Sequence, residues 1–287
     1  MLDFLCNIWK VEHGSCAYVQ TKNNKRVLMD AGRSDSFSPS EHISANWDIK
    51  KIDKLIVSHP HRDHIQDLPT LLDLIDVRSR VWNNHTPERL VYPSGKRNLA
   101  EPLSSWQKMS DTFTETISDD EAITNSAFFE GVQFNIFGAK ESQLPSAAKE
   151  NINNYSLLTT ISYRGLVIVF PGDLEPDGWD AILDNTNLSS HLTGDHKILI
   201  APHHGRSSGI KRNNQVYSRF LDIFKPNLTV ISDKWGSETT DPEAYRPYCS
   251  GMNVECEGEL QNKKILTTKT NDCVTIKIDG NSLIVKV

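Results

Sequence analysis

No run in these 287 residues approaches the roughly 20 consecutive apolar positions that a membrane-spanning helix needs, which excludes a helical channel or anchor within them. The opening Met1 to Cys6 lacks a basic stretch followed by a long apolar core. It does not read as a secretion signal, and a cytoplasmic protein is expected. Cysteine is sparse: five residues, at 6, 16, 249, 256 and 273, odd in number and without a Cys-x-x-Cys spacing. That argues against a disulfide framework and against a thiolate zinc knuckle, and leaves buried or idle thiols. Positive charge is also short, with 31 Lys and Arg against 37 Asp and Glu and a net charge of −6. Such a balance opposes an extended nucleic-acid-coating surface, because that kind of binding neutralises many phosphates. A local patch is still compatible: Arg206, Lys211 and Arg212 read either as the mouth of a phosphate-attracting site or as a solvated basic loop. No internal repeat, low-complexity tract or linker interrupts the chain, whose 38% hydrophobic content can bury a core as one large α/β domain over 1–287, although length alone would also permit two.

What the chain does have is a turn dense in potential ligands. Ser58-His59-Pro60-His61-Arg62-Asp63-His64 follows the strand-like run Lys54-Leu55-Ile56-Val57. Neutral imidazole and carboxylate suit zinc, and also manganese or iron, and a loop at a strand's end can aim several side chains at one point. His59 and His61 stand at alternate positions and can grip one ion. Asp63 and His64 come on the following turn and can face a second.

The order His-x-His-x-Asp-His resembles the signature loop of the metallo-β-lactamase fold hydrolases. That fold is a four-layer αββα sandwich, two mixed β-sheets flanked by helices, and it takes further ligands from later strand ends. An Asp and a His stand after apolar runs in the order the resemblance implies. Leu166 to Phe170 leads to Pro171-Gly172-Asp173, and Lys197 to Ala201 leads to Pro202-His203-His204-Gly205. Upstream, Arg26 to Met29 ends in Asp30-Ala31-Gly32, matching the Asp-containing turn that precedes the signature. A narrower resemblance, to the hydrolase domain of ComEC-type DNA-uptake competence proteins, rests on Asn153-Asn154-Tyr155-Ser156-Leu157, Gly172-Asp173 and His203-His204-Gly205-Arg206-Ser207. In that group an Asn-Asn-x-Ser segment replaces an isolated histidine, which leaves the first metal site ligand-poor and its double occupancy open. Asp67 and Thr240-Asp241-Pro242 depart from the pattern, standing where glycine and Gly-His-Pro are common.

The resemblance implies two divalent cations, zinc or manganese, with His59 and His61 on the first, Asp63 and His64 on the second, Asp173 bridging and His203 completing the second. Such a pair lowers the pKa of a bridging water and clamps phosphoryl or carbonyl oxygens, so the nucleophile is hydroxide rather than a side chain. Asp63 is expected to assist as a catalytic group. His204 is open between ligand, proton donor and packed structural histidine. Asn154 and Ser156 read as site or substrate contacts or as a turn cap, and Arg206 as a substrate contact. The leading expectation is a phosphodiesterase, a nuclease acting on nucleic acid or nucleotides. Alternatives are a lactone, ester or amide hydrolase, a weakly active metal-binding module, and an antiphage effector gated by a regulatory protein partner, a role in which soluble relatives of this type also occur.

Patterning supports the same architecture. Phe4 to Val11, Cys16 to Thr21 and Arg26 to Met29 predict an antiparallel meander, and Leu228 to Ser232, Lys263 to Thr267, Cys273 to Ile278 and Ser282 to Val287 predict a second set of strands. Apolar stripes predict helices after the ligand loops, through Leu68, Leu71, Leu72 and Ile75, and through Val216, Phe220, Ile223 and Phe224. The stretch 80–130 is poorly patterned, with only Leu103, Trp106 and Met109 hinting at a helix. It reads as a lid or recognition insertion whose Arg89, Lys96, Arg97 and Lys108 could add charge over the cleft. The remaining histidines and the six tryptophans read as packing or surface groups.

Overall fold

Alternation of apolar and polar residues sets the first sheet. Leu2–Trp9 pairs antiparallel with Ala17–Thr21, placing Cys6 opposite Val19, and Ala17–Thr21 pairs in turn with Arg26–Met29. In the computed structural model, which describes residues 2–92, 100–113, 126–233 and 240–287, this meander is joined by Lys54–Ile56, parallel to Arg26–Met29. The nine strands run in the spatial order Glu259–Lys263, Met252–Cys256, Ser282–Lys286, Cys273–Asp279, Leu2–Trp9, Ala17–Thr21, Arg26–Met29, Lys54–Ile56 and Arg80–Val81. A second sheet of six orders Ile265–Thr267, Leu228–Ile231, His196–Ile200, Leu166–Phe170, Leu158–Tyr163 and Gln133–Phe137.

The inner faces of the two sheets make one apolar cluster, with Phe4, Val19 and Val27 of the first against Ile168, Ile198 and Val230 of the second. Each such side chain contributes about 1.5–3 kcal/mol on burial. The outer face of the first sheet packs on helices Pro39–Asn46, Leu68–Leu74 and Glu101–Thr112 through Ile43, Leu71 and Trp106. The outer face of the second packs on Pro176–Asn185 and Arg219–Phe224 through Trp179, Ile182 and Phe224. This is the expected αββα order of layers.

The structure departs from the pattern reading in three places. The run expected as one strand over 263–267 is split, because Glu259–Lys263 closes a polar hairpin with Met252–Cys256 in the first sheet while Ile265–Thr267 pairs in the second. The stripe through Val216 and Ile223 is not buried: these two are exposed, since the helix begins only at Arg219 and turns Phe220, Leu221 and Phe224 inward. Much of 80–130 is also built into the fold. Arg80–Val81 pairs beside Lys54–Ile56, and Trp106 and Met109 of Glu101–Thr112 are buried in the outer layer. Arg89 is ion-paired to Glu141 and Glu150, and Lys96 and Arg97 lie outside the described residues.

Candidate metal centre

Three strand ends deliver the side chains. Lys54–Ile56 ends at Ser58, where the chain turns through His59 and His61 into the short helix Arg62–Ile65 carrying Asp63 and His64. From the second sheet, the parallel neighbours Leu166–Phe170 and His196–Ile200 end at the same edge, in the loops of Asp173 and of His203 and His204. Two donor clusters result: His59, His61 and Asp173, and Asp63, His64, Asp173 and His204, each with its ligand atoms within 4.8 Å of one another. In the first, His59 Nε2 lies 2.9 Å from His61 Nδ1 and 3.8 Å from Asp173 Oδ2. In the second, His64 Nε2 lies 3.0 Å from Asp173 Oδ1 and 3.2 Å from His204 Nε2, which is itself 3.4 Å from Asp63 Oδ2.

The local sequence explains why these groups converge. Asp30, buried and at φ 57°, accepts the Ser58 amide at 2.7 Å and the Ser58 hydroxyl at 3.0 Å, and lies 2.8 Å from His64 Nδ1. A proton on Nδ1 therefore turns the Nε2 lone pair toward the cluster, the arrangement typical of metal-bound imidazole. Below the signature, the Asp63 carbonyl accepts the Ser15 amide at 3.3 Å, and a Cβ on Gly14 would stand 2.7 Å from that carbonyl oxygen. The turn His13-Gly14-Ser15 thus seats the signature helix by close backbone approach. On the far side the Asp173 amide donates to Ser156 Oγ at 3.1 Å.

His203, His204 and Gly205 are three successive residues with positive φ, at 48°, 54° and 76°. This left-handed stretch swings His204, rather than the expected His203, into the second cluster. His203 lies 3.6 Å from Asp173 Oδ2 and directs Nδ1 at Ser208 Oγ, 2.9 Å away, and at Glu175 Oε1, 3.4 Å away. Asn154 is buried and bonded to the protein, donating to the Ala148 carbonyl and accepting the Gly178 amide. Ser156 holds the Asp173 loop, and Arg206 is half-buried with its Nε unpartnered. The basic loop is largely neutralised, since Lys211 pairs with Asp241, and Arg212 with Asp177 and Asp180. Sequence reasoning overlooked Ser58 and Glu175. The signal for Glu175 was an acid beside Asp173 and just before the helix-starting Pro176.

Burial pushes His59 well below the usual imidazole range, with repulsion from His64 adding to it, and burial lowers His61 too. Both are neutral donors. Burial opposes charge on His204, yet Asp173 and Asp63 hold it up to about 9, and Asp173 and Asp30 raise His64. Burial would raise the Asp173 carboxyl, but His64 and His204 keep it well below the usual carboxylate range. Asp173 Oδ1 nevertheless makes no hydrogen bond of acceptable geometry, although buried. A buried acceptor facing imidazole nitrogens is costly unless it has a donor or a cation to bind, so the residues fit divalent ions.

Residues 9–209 match the sequence model of the family described as Metallo-beta-lactamase superfamily, and the chain belongs to that superfamily of metal-dependent hydrolases. Among curated proteins it is 26% identical over 162 residues to Endoribonuclease ysh1 of Aspergillus fumigatus, covering 55% of this chain and 18% of that protein. It is 24% identical over 185 residues to ComE operon protein 3 of Bacillus subtilis, covering 64% of this chain and 20% of the relative. The chain thus spans a fifth or less of the length of these two relatives. A solved structure of the CmlA beta-hydroxylase E377D mutant shares the fold, with a TM-score of 0.52 at 13% identity over 95% of this chain and 54% of that one. No helix among the described residues is long and apolar enough to cross a membrane.

Proposed function

We propose that this chain is a two-ion phosphodiesterase that cuts nucleic acid. The observation that carries the reading is Asp173, a single buried carboxylate shared by two donor clusters. His59, His61 and Asp173 would hold one cation, and Asp63, His64, Asp173 and His204 a second. The all-nitrogen and oxygen donor set suits zinc or manganese. When bound, a pair of this kind activates water near neutral pH and neutralises charge at an in-line displacement on phosphorus.

The chain's own groups do the rest. Asp30 fixes the His64 tautomer, and Ser156 fixes the Asp173 loop. Asp63, more exposed than the other second-cluster donors, offers a carboxylate to orient the attacking water, and lies 3.4 Å from His204 Nε2, which would serve as a ligand of the same cation. Arg62 and Arg206 have no ion-pair partner among the described residues and neighbour the candidate ligands in sequence, where phosphate would find them, and the similarity to an endoribonuclease over 162 residues supports the same substrate class.

The test is Mn²⁺- or Zn²⁺-dependent cleavage of plasmid, single-stranded DNA and RNA by wild type, Asp63→Ala and His204→Ala, with metal content measured alongside. Cleavage in the wild type and its loss in both variants is expected. Intact polymers with a lactone or ester cut instead would overturn the reading in favour of carbonyl chemistry, which the neutralised Arg89, Lys211 and Arg212 would suit.

A further inference from the structure

Beside the first cluster lies a cavity of about 230 Å³ whose lining includes Ser58, His59, Trp82, Tyr92, Trp106 and Gln107. We propose that it is a nucleoside pocket: it takes the base and sugar of one nucleotide next to the phosphate under attack. This inference rests on the phosphodiesterase reading and adds the substrate unit that the site grips.

The walls favour a planar ring. Trp82 and Trp106 pack with centroids 4.9 Å apart at 43°, and the Arg80 guanidinium lies against Trp82 and 5.3 Å from the centroid of Trp106. Arg80 is buried, its Nη2 reaching the Phe113 carbonyl at 3.5 Å and its Nε and Nη1 without a hydrogen-bond partner among the described residues, so it rests on these indole faces and acts as a positioning residue that stiffens the aromatic wall. A base stacking on such a wall gains about 1–3 kcal/mol, whichever base it is.

The polar groups favour a base over an acyl chain. The buried Tyr92 hydroxyl, beside Ser110, has no hydrogen-bond partner of good geometry among the described residues, Asn84 also lines the space, and Gln107 and Ser110, which donate to Asp111 and to the Trp106 carbonyl, keep acceptor oxygens there. Donors and acceptors set between aromatic walls match the edge of a nucleobase and would be left unpaired by an aliphatic substrate. Asn83 is excluded from this role: its amide is spent on the carbonyls of Ala139 and Tyr155, and its oxygen on the His85 amide. Size sets the number of units. At about 230 Å³ the space falls below the roughly 300–1,000 Å³ of a drug-sized site, which fits one nucleoside and not a stacked pair. Contact with His59 places that nucleoside within one phosphate of the first cluster.

Two measurements test this. In ion-free protein, adenosine 5′-monophosphate binding is followed by titration calorimetry for wild type, Trp82→Ala, Trp82→Phe and Tyr92→Phe, each checked for folding by its thermal melt. Binding about tenfold weaker in Trp82→Ala, and largely retained in Trp82→Phe, is expected from the stacking energy. With metal-loaded protein, kcat/KM is compared for a dinucleotide and for its analogue lacking the base, and the preference for the base-bearing substrate should fall about tenfold in Trp82→Ala. Equal cleavage of both substrates by wild type, or nucleotide binding that Trp82→Ala leaves intact, would overturn the pocket while the phosphodiesterase reading stood. Nucleotide binding lost in Trp82→Ala, without cleavage of any phosphodiester by wild type, would uphold the pocket and defeat the activity.

Discussion

Replacing Asp30 by asparagine separates metal affinity from folding. Asparagine tolerates the left-handed backbone at φ 57° and keeps an oxygen for the Ser58 amide, so the turn survives. Its amide nitrogen, however, would replace the oxygen that lies 2.8 Å from His64 Nδ1. That contact is satisfied only if Nδ1 accepts, which moves the ring proton to Nε2, the atom 3.0 Å from Asp173 and 3.2 Å from His204. The second cluster then presents an N–H where it needs a lone pair. Losing such an outer partner costs about 10–100-fold in metal affinity, or about 1.4–2.7 kcal/mol. Losing the charge-assisted bonds to a buried carboxylate costs the ion-free protein a further ~1–3 kcal/mol of stability. Competition with a chromophoric chelator reads the affinity of each ion in turn, and nitrogen-15 NMR of the imidazoles reads the tautomer. A variant that binds both ions as wild type does, or whose His64 keeps its proton on Nδ1, refutes this account of the site.

Other expectations are sharp enough to fail. His204→Ala should lose one of two bound ions while His203→Ala retains both, by elemental analysis; the reverse pattern would return His203 to the second cluster. Gly172→Ala should destabilise the protein by about 1–3 kcal/mol in denaturant unfolding, because φ is 57° there and an added Cβ would stand 2.6 Å from that of Ser58. Asp180 accepts bonds from Arg212, Arg219 and Tyr217 at 2.7 Å each, tying the segment after His204 to helix Pro176–Asn185. Burial would raise its pKa, but Tyr217, Arg219 and Arg212 hold it below the ordinary value. With the folded value under the unfolded one, its contribution is present above the unfolded pKa and lost as pH falls through the folded one. Asp180→Asn should therefore cost about 1 kcal/mol at pH 7, and melts recorded at successively lower pH should see that gap close.

The signature turn was legible because its candidate ligands are contiguous and follow a strand that ends in an abrupt change of polarity. Asp173 was legible for the same reason, as a lone acid after Leu166 to Phe170. The choice between His203 and His204 was not, since it turns on three left-handed residues of which only Gly205 advertises that conformation. The Asn153-to-Ser156 segment shows residue types without showing their bonds, and tertiary contact spends Asn154 on Ala148 and Gly178. The choice between a site mouth and a solvated loop for Lys211 and Arg212 was not legible, because their acidic partners, Asp241, Asp177 and Asp180, are distant in sequence. The hairpin 252–263 escaped notice because Glu259–Lys263 is a polar edge strand with little apolar alternation to read.

The candidate ligands come from both halves of the sandwich. The signature turn belongs to the first sheet, while Asp173 and His204 hang from strand ends of the second. A cation held there would be a removable clasp across the seam, and its binding energy would add directly to the work of prising the sheets apart. A chelator would then act as a locally addressed denaturant, loosening one edge of the sandwich before it touched the core.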